Sequence, residues 1–376
     1  MASDGTSFSP PLVSPASASK TAKVAANDVL MIVWARQQRR ASNMCEALGF
    51  QLRFVNGIQL KSNVRIFSLA AKAFEYFCKF FETIGVIILR RPKICVVQNP
   101  PFFVIFAAYF GMILAFRWPR LIGDCHNLLP PWDKMPGSKL SLRLCELYVA
   151  HNDDIFRQLP VLGYPTRNAR VLETRPTVVN IEVTKKFEDP KLDAIFAKGR
   201  PTLIVPLAWL ADEPLEEIVG LGRELPDFEI LMTGEKGLRS PLKATAPENV
   251  HFTGFMSKAD YLLGMMKATV VVGLTTVEGI QMSVANEGVG MGRPMVLSGT
   301  QTTRRMFHKG ATYVTEHTSQ GIAAAVSEAM PQLEHLSSQS RELRAERLRH
   351  WETLAIRVVD EAGIQTSLKK RTVENV

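Results

Sequence analysis

The sequence predicts an α/β protein of two doubly wound, Rossmann-like domains facing each other across a cleft. Three observations lead there. The chain has 376 residues, more than one hydrophobic core usually organises. In both halves, short apolar runs rich in branched residues alternate with longer helical stretches, the pattern of a parallel sheet covered on both faces. Between the halves, residues 175–190 turn polar and lose periodicity. Residues 28–175 and 176–339 are therefore expected to be the two domains. Residues 1–27, rich in Ser, Ala and Pro and without the apolar core of a signal peptide, read as a disordered tail. Residues 340–376 read as a charged helix and tail packing back across the domains.

The elements follow in order. Asp28–Trp34 is a first buried strand, followed by a helix that ends at Gly49. Leu52–Val55 is a second strand, Ile66–Leu89 a long helix with Phe74, Phe77, Phe80 and Phe81, and Ile94–Val97 a third strand. An Asn-Pro-Pro break leads to the apolar stretch Phe102–Phe116. At about 20 apolar residues per bilayer crossing, that run is short for a span and reads as a buried or membrane-facing helix. Arg120–Asp124 is the next strand, and Leu147–Ala150 the last of this half. In the second half, strands are expected at Thr202–Pro206, Glu229–Thr233, Val250–Phe252, Val270–Leu274 and Pro294–Leu297. Helices fall at Leu215–Leu225, Lys258–Met266 and Ser283–Met291, with a closing helix at Ser340–Ala362.

Composition narrows the function classes. A net charge of +9 favours anionic partners without choosing among nucleotides, polyphosphates and acidic headgroups. Neither half opens with GxGxxG after its first strand, which argues against a nicotinamide enzyme. The charge forms no aromatic-laced basic stripe, so nucleic acid is not an expected partner. Five cysteines without CxxC or metal-ligand spacing read as reduced, small apolar groups in a cytoplasmic protein, with Cys125 as nucleophile the less favoured reading. Asp153-Asp154 reads as a solvated helix start, and neither a metal nor a cofactor is expected.

In doubly wound sheets, ligands bind beyond the carboxyl ends of the strands. The richest such segment is Leu274–Ser298, LTTVEGIQMSVANEGVGMGRPMVLS. Here a strand ends near Thr276, a loop carries Glu278-Gly279, and a helix begins around Gln281, Met282 and Ser283. Amides at that helix start favour an anion such as a diphosphate. Glu287, a turn and a half further on, is placed to accept the hydroxyls of a ribose.

This segment resembles the donor-binding segment of GT-B glycosyltransferases of the family 4 type, and Asn249–Leu274 resembles their preceding strand, Gly-Phe turn and Asp-Tyr helix. The resemblance implies a GT-B fold, base contact near Phe255 and a ribose held by Glu287. Gly234 and Lys236 join this donor-side set as residues following a strand. The chain departs from the family pattern in two ways. Glu278 and Glu287 enclose eight residues rather than seven, and Leu207–Pro214 has no Lys or Arg for the diphosphate. Lys236, Arg304 or Arg305 are the candidates for that charge.

In the first half, VVQNPP at Val96–Pro101 and IGDCHN at Ile122–Asn127 resemble the acceptor domain of the N-glycan β-1,4-mannosyltransferase. Bacterial transferases of exopolysaccharide and lipopolysaccharide assembly are similar in both halves. The activity implied is transfer of a hexose from a UDP- or GDP-linked donor to a lipid-linked or glycan acceptor, at the inner face of the membrane. His126 and Asp124 are the candidates for the general base that an inverting transfer needs; Arg39, Arg40, Asn99 and Asn127 are candidate acceptor-side contacts. Contact of the two Phe-rich segments with the membrane surface, aided by Lys79, Arg90, Arg91 and Lys93, is a further expectation beside their role as core. The competing class is a non-catalytic partner that binds nucleotide sugar or lipid within a transferase complex.

Overall fold

The structure, a computed structural model, describes residues 23–57, 65–125, 128, 132–177 and 186–368. In the first half, β1 (Val24–Ala25), β2 (Val29–Val33), α1 (Arg39–Leu48), β3 (Gln51–Phe54), α2 (Arg65–Arg90) and β4 (Ile94–Asn99) come first. They are followed by α3 (Phe103–Leu114), β5 (Leu121–Cys125), α4 (Ser138–Arg143), β6 (Leu147–Ala150), α5 (Asp153–Gln158) and β7 (Ala169–Val171). Six of these strands form one parallel sheet in the order β3-β2-β4-β5-β6-β7. The central strand β2, VLMIV, is apolar on both faces and buried at every position, as a strand covered by helices on both sides requires. Its two faces feed separate cores: Leu30 and Ile32 meet α2 and α3, while Met31 and Val33 meet α1 and the C-terminal helix.

The second half contains α6 (Pro190–Ala197), β8 (Thr202–Val205), α7 (Leu215–Glu224), β9 (Glu229–Thr233), β10 (Val250–Gly254), α8 (Lys258–Lys267) and β11 (Val270–Gly273). It continues with α9 (Ser283–Met291), β12 (Met295–Ser298), α10 (Gln301–Met306), β13 (Ala311–Val314) and α11 (Ser319–Ala329). Its sheet is again fully parallel, in the order β10-β9-β8-β11-β12-β13. Strand order reverses between β2 and β4 in one sheet and between β8 and β11 in the other. The crevices beyond those strand ends are where such sheets take ligands.

The chain closes with α12 (Leu333–Glu361) and β14 (Ile364–Gln365). At 1.5 Å per residue, the 29-residue α12 is about 43 Å long, enough to lie against both domains. Leu336 and Leu343 pack in the cores of the second domain, whereas Trp351, Ala355, Val358 and Val359 pack under β2, β4 and β5 of the first. Val24–Ala25, expected within a disordered tail, instead pairs with β14.

Two edge strands depart from the expectation. The first sheet ends at β7 rather than Leu147–Ala150, and β13 with α11 was not foreseen. Both strands are short and incompletely buried, so neither leaves a continuous apolar run to read.

Candidate functional site

The loop after β2 delivers two adjacent arginines to different places. Gln38 caps α1 by accepting from the Ala41 amide at 2.6 Å, so Arg39 and Arg40 open the helix at the switch point of the first sheet. Consecutive helical residues lie about 100° apart, and the two side chains diverge accordingly.

Arg40 turns into the core. It donates to Asp124 from Nε (3.0 Å) and Nη2 (2.7 Å), to the Leu172 carbonyl (2.8 Å) and to Thr174 (3.1 Å). Asp124 has no exposed surface, accepts also from Gln98 at 3.3 Å, and has His151 at 3.7 Å. Burial alone would raise its pKa. The Arg40 charge and the contacts with Arg40 and His151 outweigh that and hold the carboxyl well below the usual carboxylate range. This corrects two expectations: Asp124 is sealed from the cleft and already ion-paired, so it is no proton acceptor for a substrate, and Arg40 is no substrate contact.

Arg39 turns outward and crosses to the second domain. It forms an ion pair with Glu287 of α9 and lies 4.5 Å above the ring centre of Tyr261 of α8, whose hydroxyl donates to the same carboxylate. Glu287 is 5% exposed, and burial raises its pKa against the opposing pull of Arg39 and Tyr261. Burial, with the adjacent Glu287 charge, also pushes the Tyr261 hydroxyl well above its ordinary value. Tyr261 was visible in the sequence only as part of the Asp-Tyr helix, without a role.

The helix bearing Glu287 begins at Ser283 with Met282 as N-cap, and no described side chain caps it. Its first amides therefore remain available to an anion. Ser283 and Thr276 are exposed, whereas the Met282 side chain is buried in the core and contributes only backbone. Close approach fixes this helix against the interdomain connection: a Cβ on Gly290 would lie 1.9 Å from the Thr177 carbonyl. Gln281 is a bridge rather than an open ligand. With Nε2 facing the His151 carbonyl (3.2 Å), its oxygen accepts from Arg347 (3.0 Å) and Asn286 (3.1 Å).

Glu278 is also employed within the protein. It accepts from the Gln301 and Thr302 amides at 2.7 and 3.4 Å, capping α10. Other contacts join the domains beside it. Asn152 donates to the Gly279 carbonyl at 3.1 Å, and Asp154 accepts from Thr302 at 2.6 Å and pairs with Arg305 at 2.7 Å. Asp154, read as solvated, is thus an interdomain anion, and Arg305 already has a partner. Arg304 stacks over Tyr313 at 4.3 Å.

Elsewhere in the second domain, after β9, Gly234 holds φ +104°, and a Cβ there would meet the Leu207 carbonyl and the Trp209 indole at 2.6–2.7 Å. Trp209, with its indole N–H donating to the Thr233 carbonyl at 2.8 Å, fills the loop where a cationic pair was absent. Lys236 reaches that loop, 3.4 Å from the Ala208 and Trp209 carbonyls, and is exposed. Phe255 projects from the Gly254 turn, 71% exposed. Asn99 is buried, with Nδ2 3.9 Å from the Cys125 sulfur. His126 and Asn127 lie outside the described residues. Among the described residues, no group of three His, Cys, Asp or Glu is arranged to hold a metal ion.

No family model and no curated protein matches the sequence. Solved structures do match the shape. HepE of Anabaena, in complex with UDP-glucose, superposes with a TM-score of 0.63 at 11% identity, covering 93% of this chain and 100% of its own. The fold is GT-B. The sucrose-phosphate synthase of Thermosynechococcus elongatus gives 0.62 at 11% identity over 94% of this chain and 100% of its own. The lipopolysaccharide outer core galactosyltransferase WaaB, in its apo form, gives 0.52 at 12% identity over 90% and 98%. Within that GT-B frame, Arg39, Tyr261 and Glu287 meet where the two sheets' switch points face each other.

Proposed function

We propose that the chain is a glycosyltransferase that moves a hexosyl group from a nucleotide diphosphate sugar to a lipid-linked or polysaccharide acceptor at the cytoplasmic face of a membrane. One observation carries the reading: Glu287, buried on a helix of the second domain, aims its carboxylate at the domain interface and is met there by Arg39 of the first. A nucleotide entering the cleft offers two ribose hydroxyls to Glu287 and a diphosphate to the uncapped start of α9. Arg39, released from the carboxylate, becomes a cation free to meet that diphosphate, in place of the Lys or Arg that Leu207–Pro214 lacks. HepE and WaaB, the one captured with UDP-glucose and the other described as a galactosyltransferase, support this class of donor and reaction.

In the proposed reaction, the bond between the sugar's anomeric carbon and the diphosphate oxygen breaks as an acceptor hydroxyl attacks. Charge gathers on the leaving diphosphate, where the α9 amides and Arg39 stabilise it. His126, which directly follows β5, takes the acceptor proton if configuration inverts. Asp124 acts one step behind, fixing Arg40 beside the end of β5, the strand His126 follows in sequence. Phe255 offers a face to the base. Transfer is proposed to need no resident metal.

A panel of UDP, GDP and their sugars tests the donor by thermal shift, since a ligand that binds only the native state raises apparent stability. Loss of that shift in Glu287→Ala, and loss of transfer but not of the shift in His126→Ala, support the reading. Transfer indifferent to both changes contradicts it. The second reading, a nucleotide-sugar-binding partner without chemistry, is favoured by the sealing of Asp124; it predicts a shift that needs Glu287 and no turnover.

A further inference from the structure

The largest unexplained feature lies on the opposite side of the first domain from α12. Helices α2 and α3 run in the same direction, as Tyr76 meets Phe103 (6.2 Å), Phe80 meets Phe110 (6.4 Å) and Arg91 donates to the Ala115 carbonyl (3.3 Å). Their inward sides are core: Ile87 and Met112 are fully buried. Their outward sides are not polar. Phe74, Phe77 and Phe81 on α2 and Phe110, Ile113 and Leu114 on α3 are all about half exposed. At the carboxyl ends of the pair the exposure becomes extreme, with Leu89 85%, Phe116 91% and Trp118 85% open. Isolated exposed apolar residues are ordinary, but a contiguous run across two adjacent helices marks a contact surface.

Charge identifies what covers it. Between residues 70 and 118 there are six Lys or Arg and only two carboxylates, Glu75 and Glu82. Both carboxylates have a cation beside them, Glu75 the buried Lys79 at 2.6 Å and Glu82 the Arg53 guanidinium at 3.7 Å. Arg90, Arg91 and Arg117 are exposed beside Leu89, Phe116 and Trp118. Aromatic and aliphatic groups bordered by cations match the boundary between acyl chains and anionic headgroups. No described helix is long and apolar enough to cross a membrane, and α3, at 12 residues, is about 18 Å long against a hydrocarbon core of about 30 Å. The face therefore fits lying on a bilayer rather than spanning one.

We infer that the paired face of α2 and α3 docks on an anionic bilayer, with Leu89, Phe116 and Trp118 entering the acyl boundary and Arg90, Arg91 and Arg117 meeting the headgroups. The inference stands without the transferase reading.

Co-sedimentation of the full chain with vesicles tests it. The wild type is expected to bind phosphatidylcholine vesicles containing phosphatidylglycerol, to bind pure phosphatidylcholine more weakly, and to release in high salt. The combined Leu89→Ser, Phe116→Ser and Trp118→Ser variant is expected to lose roughly tenfold or more of that partitioning. Arg90→Gln with Arg117→Gln is expected to lose roughly fivefold per removed charge on the anionic vesicles only. Both variants should melt with the wild type and keep its thermal shift with nucleotide, which separates docking from the donor site. The inference is overturned if the wild type stays in the supernatant with anionic vesicles. It is equally overturned if the serine variant binds as the wild type does, or if that variant instead splits a dimer of a chain that ignores vesicles.

Discussion

Arg39 and Arg40 are neighbours in sequence, identical in chemistry, and opposite in use. Arg40 is a core residue whose ion pair with Asp124 is sealed by β4, β5 and β6; Arg39 is a cleft residue whose partner belongs to the other domain. The side chain of Arg40 is 5% exposed and that of Arg39 44%. The two pairs differ correspondingly in what releases them. The inner pair can open only by unfolding, since either charge left alone in the core is strongly disfavoured. The outer pair can be exchanged for a ligand, because each partner then gains a new one. A charged pair thus reads as architecture or as a site according to whether both ends share one core.

The inner pair gives the largest expected effect. Asp124→Asn leaves Arg40 buried without its counter-charge and should destabilise the chain by about 3–5 kcal/mol. Chemical denaturation should show the double change Arg40→Met with Asp124→Leu recovering much of that loss, because the desolvation cost disappears with the charges. The same pair sets an acid dependence. The Asp124 pKa is lower in the folded chain than its value of about 3.9 when unfolded, so its contribution is complete above about pH 5 and fades as pH falls below that. Stability measured down the acid limb should therefore drop more steeply for the wild type than for the double variant.

At the outer pair the expected losses fall on binding. Glu287→Ala should weaken nucleotide diphosphate binding by roughly 10- to 100-fold, the worth of hydrogen bonds to a charged group. Arg39→Ala sharpens the comparison, because it frees Glu287 while removing a cation from the diphosphate. Titration should show a plain nucleoside bound at least as well as by the wild type, and the diphosphate bound several-fold more weakly with a shallower salt dependence. Equal loss for both ligands would place Arg39 among structural residues. The smallest effect is expected at Glu278→Gln: a cap on α10 is worth about 1 kcal/mol, and calorimetry should register it with little change in nucleotide binding.

Most of the architecture was legible because the central strands are apolar on both faces and the helices between them are long. β2, β6, β9 and α9 fall within a residue of expectation for that reason. The edge strands β7 and β13 were not, since each is short and only partly buried. In the site, Glu287 and the start of α9 could be placed from the spacing to Gly292 and the strand beyond. What spacing could not reveal was partnership across the cleft. Glu278 looked like a donor ligand because it precedes a helix start, but it caps α10 instead. Asp124 looked like a base because it ends a strand, yet its side chain faces the core, where Arg40 awaits it. Tyr261 gave no polar signal of its own, and its hydroxyl matters only because α8 lies beside α9.

The central claim is that Glu287 exchanges Arg39 for the ribose of a nucleotide diphosphate. Calorimetric titration of UDP and GDP into the wild type, Arg39→Ala and Glu287→Ala tests it directly. Binding of one of these nucleotides to the wild type and its loss in Glu287→Ala is the predicted result. Failure of both to bind the wild type, or affinity unchanged by Glu287→Ala, would contradict it.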